Sequence, residues 1–231
     1  MGHVVTVRGV HFDVISDRAI ALGLDEKANL DTNKELELPT LVEDKPVREI
    51  AAGAFFNTKI KKWCLPATIH RIGDRAFGSS EVEQITFYAS SVHPYQGVVA
   101  VGARAFKNCK NLRIFSTMQK IAAEELAFMG CDNLTTESLR YEMRFAELKK
   151  SALAGCPSLH EIFISSGALL WKDALYHSYI KTMHFDKQVH MDKSVIDFIK
   201  NENVAVVASS KSEIADLAYE GINVEIIMEG N

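Results

Sequence analysis

Apolar positions in this chain recur in blocks rather than with one sustained helical or strand period. Each block opens on an aliphatic residue, at Ile50, Ile72, Val101, Ile121, Leu148 and Leu170, which sets six units with steps of 22, 29, 20, 27 and 22 residues. A small-then-large pair follows, reading Ala54-Phe55, Ala76-Phe77, Ala105-Phe106, Ala127-Phe128, Ala152-Leu153 and Ala174-Leu175. The unit that opens at Ile121 needs two extra residues to reach its pair. Three positions after the large residue stands a column of small residues able to hydrogen-bond: Thr58, Ser80, Cys109, Cys131, Cys156 and Ser178. An aliphatic residue comes next, at Ile60, Val82, Leu112, Leu134, Leu159 and Ile180, one residue nearer in the units without cysteine.

Each unit closes on two positions spaced by two: Trp63/Leu65, Ile85/Phe87, Phe115/Thr117, Glu137/Leu139, Ile162/Ile164 and Met183/Phe185. That spacing puts both side chains on one face of a strand. The prediction is one short strand plus one tight helical turn per unit, the turn carrying the Ala-Phe pair. A unit this small cannot bury its apolar face alone and stacks on its neighbours to do so. The fold class expected is an α/β repeat solenoid, with one parallel sheet along one side and short helical turns along the other.

The pattern aliphatic-x-x-x-Ala-Phe-x-x-Cys-x-x-Leu-x-x-Ile-x-Leu resembles the BspA-like leucine-rich repeats, a class typified by bacterial surface antigens. The runs IAAGAF, IGDRAF, VGARAF and SALAGCPSLHEIFI carry the likeness, as does Leu65-Pro66 at the end of the first full strand. The resemblance implies a non-enzymatic interaction scaffold, adhesin-like in the family's usual setting, with protein ligands such as host matrix or partner-cell proteins. Glu137, Thr117 and the insertion in the fourth unit depart from the pattern and predict a local irregularity mid-array.

The flanks lack the repeat. Residues 1–49 read as an N-terminal β cap with a half unit at Leu36-Glu37-Leu38-Pro39, residues 50–186 as the six repeats, and residues 187–231 as a C-terminal αβ cap. Within that last stretch, helices are expected at Val195–Lys200 and Ser210–Glu220, and strands at Val204–Ala208 and Val224–Met228. Ser210 with Glu213 forms a capping box, and Gly221 suits a left-handed helix end. A solenoid needs its open ends shielded, so one cooperative domain is expected.

Two excursions interrupt the array. The stretch after Phe87, YASSVHPYQG, forms an insertion loop offering Tyr88, His93 and Tyr95, and Arg140–Glu147 suggests an added turn of helix.

Composition narrows the function. With 47% hydrophobic and 24% charged residues the chain can bury a sizeable core, and a net charge of -4 lacks the basic footprint that nucleic-acid binding requires. No run approaches eighteen apolar residues, so membrane insertion is not expected. The first residues do not read as a signal peptide, which points to the cytoplasm for a complete chain and to the cell surface or secretion if a signal was trimmed. The four cysteines show no Cys-x-x-Cys spacing, and three share the small-residue column, so buried thiols are expected there rather than disulfides.

Motifs for catalysis and for resident cofactors are missing from the sequence. The nearest metal pattern is His184-x-Asp186 followed by His190-x-Asp192, where His184, Asp186 and His190 would supply imidazole and carboxylate ligands. That segment also leaves open a metal- or carbohydrate-binding module, and an intracellular adaptor of the same fold is a further alternative. The main expectation is a ligand-binding face made of the strand positions that alternate with the buried ones: Lys62, Gln84, Thr86, Ile114 and Ser116, then Thr136, Glu161, Phe163, Thr182 and His184. Ile114 and Phe163 are its apolar members.

Overall fold

The computed structural model describes residues 2–88, 97–136, 143–186, 189–208, 222 and 224–226. The N-terminal strands are β1 (His3–Val7), β2 (Val10–Val14), β3 (Ala19–Leu24), β4 (Glu35–Glu37), β5 (Leu41–Val42) and β6 (Lys45–Ile50). The array continues with β7 (Lys62–Pro66), β8 (Arg71–Ile72), β9 (Gln84–Tyr88), β10 (Val98–Val101), β11 (Ile114–Ser116) and β12 (Lys120–Ala123). It then runs through β13 (Arg144–Leu148), β14 (Glu161–Leu170), β15 (Thr182–Phe185) and β16 (His190–Met191). Helix α1 (Lys193–Asn201), β17 (Ala205–Ala208) and β18 (Val224–Ile226) follow.

The chain forms a β-solenoid of about seven turns, mostly sheet, with one short helix among the described residues. Each turn contributes to two parallel ladders, where the periodicity predicted one. One ladder stacks the unit openings, with Ile50 beside Ile72, Ile72 beside Val101 and Leu148 beside Leu170. The other stacks the strand pairs, with Leu36, Trp63, Ile85 and Phe115 in register through β4, β7, β9 and β11. The half unit thus pairs as a full strand does. In the later units the two segments merge, so that β14 carries both Ile164 and Leu170. At the N-terminal end β1, β2 and β3 pair antiparallel, and β3 joins β6 in parallel.

The fourth unit corrects the register twice. Val101 pairs with Ala123, and Ile121 pairs with Val99, so the unit opens at Ala123. Ala127 then follows four residues later, as Ala105 follows Val101, and the two extra residues disappear. The buried strand pair of that unit is Met143/Phe145, since Phe145 lies opposite Ile164. Glu137 and Leu139, assigned there from spacing, lie outside the described residues. Arg144–Leu148 is strand, not the added helical turn expected for Arg140–Glu147. An insertion ahead of a strand shifts every following position, and spacing alone placed the pair six residues early.

The tight turns also differ from the helical expectation. Every second N–H within them closes locally, as from Phe56 to Gly53 O (3.1 Å) and from Thr58 to Phe55 O (3.2 Å). The alternate N–H groups leave the unit: Phe55 donates to Ala76 O (2.7 Å), Phe77 to Ala105 O (2.8 Å), Phe106 to Ala127 O (2.8 Å) and Phe128 to Ala152 O (2.9 Å). A continuous helix would consume those donors internally. What frees them is a left-handed residue two positions before and two after the large residue, such as Arg104 (φ 59°) and Asn108 (φ 61°), or Leu126 (φ 60°) and Gly130 (φ 71°). The turns therefore form a third line of hydrogen bonds between units.

Inside, the large residues of the pairs stack on one another. The rings of Phe77 and Phe106 lie 5.1 Å apart at 6°, and those of Phe106 and Phe128 lie 5.3 Å apart at 4°, while Phe115 meets both Phe106 and Phe128 edge-on. Trp63 closes the first-unit end of this column against Phe55 (4.3 Å). One buried apolar cluster takes in residues from Val10 to Ile222.

The small-residue column is a thiol ladder. Cys109 Sγ donates to Phe77 O (2.9 Å), Cys131 Sγ to Phe106 O (3.2 Å) and Cys156 Sγ to Phe128 O (3.1 Å), each reaching the carbonyl of the preceding unit. Ser80 Oγ meets Cys109 Sγ (3.4 Å), and Thr58 instead accepts locally from Ile60 N (3.2 Å). Among the described residues Ser178 Oγ, shielded from solvent, has no partner.

All four cysteines are free thiols, and burial pushes the pKa of Cys109 and Cys131 upward. Cys64 is half-buried, and burial, with Glu35 and Glu37 nearby, raises it too. Because the three ladder thiols are shut away from solvent, Cys156 included although its bond with Cys131 pulls its pKa down, and the thiolate is the reactive form, native protein titrated with an aromatic disulfide reagent at neutral pH is expected to show at most one slowly reacting thiol, Cys64, accelerating as pH rises. Three or four fast thiols before denaturation would contradict the ladder.

At the far end, α1 covers the predicted Val195–Lys200 and begins two residues earlier, at Lys193. Asp192 caps it, accepting from Ser194 N (2.9 Å) and Ser194 Oγ (2.7 Å), and these two bonds hold its carboxyl below the usual range. The predicted helix at Ser210–Glu220, with Ser210, Glu213 and Gly221, lies outside the described residues. No helix of the described residues is long and apolar enough to cross a membrane.

Candidate functional site

The outward positions of the strand ladder fall into two blocks, because β11 ends the first run and β13 starts the second. In the first block Glu35, Lys62, Gln84 and Ile114 share a row, and Glu37, Cys64, Thr86 and Ser116 share the next. Lys62 is exposed, and Gln84 and Thr86 are half-buried, with Thr86 Oγ1 donating to Trp63 O (3.3 Å). A groove of about 400 Å³ opens beside this row, lined by Lys62, Gln84, Arg113 and Ile114 among others.

Two members predicted on this face are corrected. Ile114 is 6% exposed and Ser116 4%, so each offers almost no surface to solvent. Ile114 lies between its register partner Gln84 and the chain at Thr135, whose N–H and Oγ1 both reach the neighbouring Arg113 O (3.3 and 3.4 Å). Alternation along a strand predicts direction, and what the next unit lays beside it decides exposure. Thr136 sits in a bend, half-buried and outside the ladder.

The second block is chemically denser. Arg144, Phe163, His184 and Val207 lie in one row, with Glu161, Thr182 and Ala205 beside it. Phe163 stacks on His184 at 4.5 Å and 18°, and the Arg144 guanidinium carbon lies 5.7 Å from the Phe163 ring centre on a cation–aromatic contact. His184 Nε2 pairs with Glu161, and Arg144 pairs with Asp186. Phe163 is therefore half-buried within a stack rather than a bare apolar anchor. Spacing missed Arg144, because it fell in the stretch assigned to the insertion; its register opposite Phe163 assigns it to the face.

The metal candidates do not converge. Asp186 is engaged by Arg144 and His184 by Glu161, while His190 sits on β16 beside Leu169. No group of three His, Cys, Asp or Glu residues among the described residues is placed to hold a metal ion. Tyr88 of the insertion loop is committed to the half unit, donating to Leu38 O (2.8 Å) and meeting Thr40 Oγ1 (3.2 Å), and burial raises its phenol. His93 and Tyr95 lie outside the described residues.

Parallel ladders in register, an Ala-Phe turn and a hydrogen-bonded small-residue column define a leucine-rich-repeat solenoid. The family profile described as the BspA type Leucine rich repeat region matches in six copies over residues 33–120 and 88–203, and the chain belongs to that family. Its repeats generally serve as protein-interaction scaffolds and are typically non-enzymatic. None of the curated proteins matches the sequence. Among solved structures, a Leucine Rich Repeat protein of T. pallidum is 14% identical, with 78% of this chain and 70% of that one covered at a TM-score of 0.49. A leucine-rich repeat protein from Bacteroides capillosus is 18% identical, with 79% and 98% covered at a TM-score of 0.38. The pneumococcal vaccine antigen PcpA is 13% identical, with 100% and 99% covered at a TM-score of 0.26.

Proposed function

We propose that this chain is a non-enzymatic scaffold that binds a protein ligand through the outward face of its strand ladder, with the second block as the centre of contact. The observation that carries this reading is the row Arg144–Phe163–His184, where a cation, an aromatic ring and an imidazole lie in contact on strands held in parallel register. Arginine and aromatic side chains dominate binding energy at protein interfaces, and ordering them in advance lowers the entropy lost on association. Glu161 and Asp186 at its margins add directional acceptors. Lys62, Gln84, Thr86 and Thr182 extend the face as a polar rim.

The reading is tested by capturing a protein partner on immobilised chain and measuring its affinity for variants. Phe163→Ser is expected to leave the melting temperature nearly unchanged and to weaken binding by roughly 2 kcal/mol, about thirtyfold. Ile162→Ser, one residue away and fully buried, is expected to do the reverse and unfold the array by placing a hydroxyl in its core. Full affinity in Phe163→Ser and Arg144→Ala would move the binding face elsewhere.

We also infer that residues 1–49, 50–186 and 187–231 unfold together, with β1–β3 and α1–β18 shielding the two ends of the array. The shared apolar cluster supports this, and a single calorimetric transition is the expected record. An adhesin and an intracellular adaptor would use the same face, and the cell fraction holding the native protein distinguishes them.

A further inference from the structure

Away from the strand face, the corner that leads into each tight turn changes character along the array. Residues following the unit openings are Ala51, Gly73 and Gly102 in the first three units, then Glu124, Lys149 and Trp171. Where they become large, the corner holds a cleft of about 560 Å³ around Trp171. Its walls carry three lysines, Lys149, Lys150 and Lys172, and three carboxylates, Glu124, Glu125 and Asp173.

Trp171 is 50% exposed although its position is fixed. Its Nε1–H donates to Glu147 Oε1 at 2.6 Å and its backbone N–H to Leu148 O at 3.0 Å. The edge of the indole is thus committed, and what remains on offer is a flat apolar face inside a polar rim.

We propose that this cleft is a carbohydrate site, in which a pyranose ring of an uncharged oligosaccharide stacks on Trp171 and sets its hydroxyls against the lysines and carboxylates of the walls. The C–H face of a pyranose is apolar while its rim is polar, which matches an indole face within charged walls. A hydroxyl both donates and accepts, so it satisfies carboxylate and ammonium alike. With Glu147 on the indole N–H, four carboxylates stand around three lysines, and Lys149 Nζ is already paired with Glu124 (2.8 Å), so a polyanion gains no net attraction here. A purely aromatic ligand would strip water from the charged walls without replacing those hydrogen bonds.

The chain has two tryptophans, and Trp63 is fully buried, so Trp171 alone reports on the cleft by fluorescence. Titration with cello-, malto- and manno-oligosaccharides, alongside sulfated and uronic glycans, is expected to shift its emission to shorter wavelength for at least one neutral series. Trp171→Ala should lose about tenfold or more in affinity, measured calorimetrically, at unchanged melting temperature, while Trp171→Phe retains part of it. Added salt should leave the affinity nearly unchanged, since no net charge is matched. The proposal is overturned if no neutral series shifts the emission, if affinity survives Trp171→Ala, or if only charged glycans bind and salt abolishes it.

Discussion

Phe106→Ala is expected to lower the free energy of unfolding by about 3–5 kcal/mol, the usual loss when a buried aromatic site is emptied. Phe106 is fully buried, stacked between Phe77 and Phe128 and met edge-on by Phe115. Few positions in the array touch as many large side chains. Relaxation around the vacancy is restricted, because the backbones of the three stacked units are tied by the bonds from Phe77 N to Ala105 O and from Phe106 N to Ala127 O. The stack is also close to one-dimensional: each unit packs chiefly on its neighbours, so a gap in the middle weakens the coupling between the two halves. Urea unfolding followed by circular dichroism and by the fluorescence of buried Trp63 should show a lower midpoint, with the two probes separating if coupling is lost. A loss below about 1 kcal/mol would show that the phenylalanine column is not the core of the fold.

Gly73→Ala is expected to be as damaging, at or above the roughly 3 kcal/mol upper end of ordinary overpacking. A Cβ at Gly73 would lie 2.5 Å from Ala52 N, 2.7 Å from Ala51 C and 2.9 Å from Ala52 Cα. All three are backbone atoms of the preceding unit, held by the bond from Gly73 N to Ile50 O (2.8 Å), so no side chain can swing aside. The units would have to separate, breaking ladder bonds on either side. Gly53→Ala is the informative contrast. Its Cβ would meet nothing within 4 Å, but φ is +68°, so the cost is the left-handed penalty alone, about 1 kcal/mol. If thermal melts show the two substitutions to be equal, close approach between units is not what requires glycine at position 73.

Much of this architecture is legible in the residues. The Ala-Phe pair recurs because one large side chain per unit fills the centre of the stack, and the small column recurs because a thiol or hydroxyl must fit beneath the previous unit's carbonyl, as Cys131 does beneath Phe106. The left-handed residues were legible too, though unread: the position two after the large residue holds Asn57, Ser79, Asn108, Gly130 and Gly155, a series rich in the residue types that accept positive φ. That series argues against a helix at the turn.

The candidate face was less legible. Alternation correctly set Ile162 inward and Phe163 outward, because direction along a strand is a local property with a period of two. Exposure is not local. The burial of Ile114, the stacking of Phe163 between Arg144 and His184, and the ion pairs that occupy His184 and Asp186 all depend on neighbours at least nineteen residues away in sequence.

By itself, then, the sequence determined the repeat, its family, the inward residues of most units and the small hydrogen-bonding column, since each follows from a side chain's size and its spacing within one unit. Only the tertiary structure decided the fourth unit's opening at Ala123 and its strand pair at Met143/Phe145, the division into two ladders, and the outward row of Arg144, Phe163 and His184. The reason is that these are relations between units: parallel hydrogen bonding aligns backbones across an insertion whatever its length, and a count along the chain cannot recover that alignment.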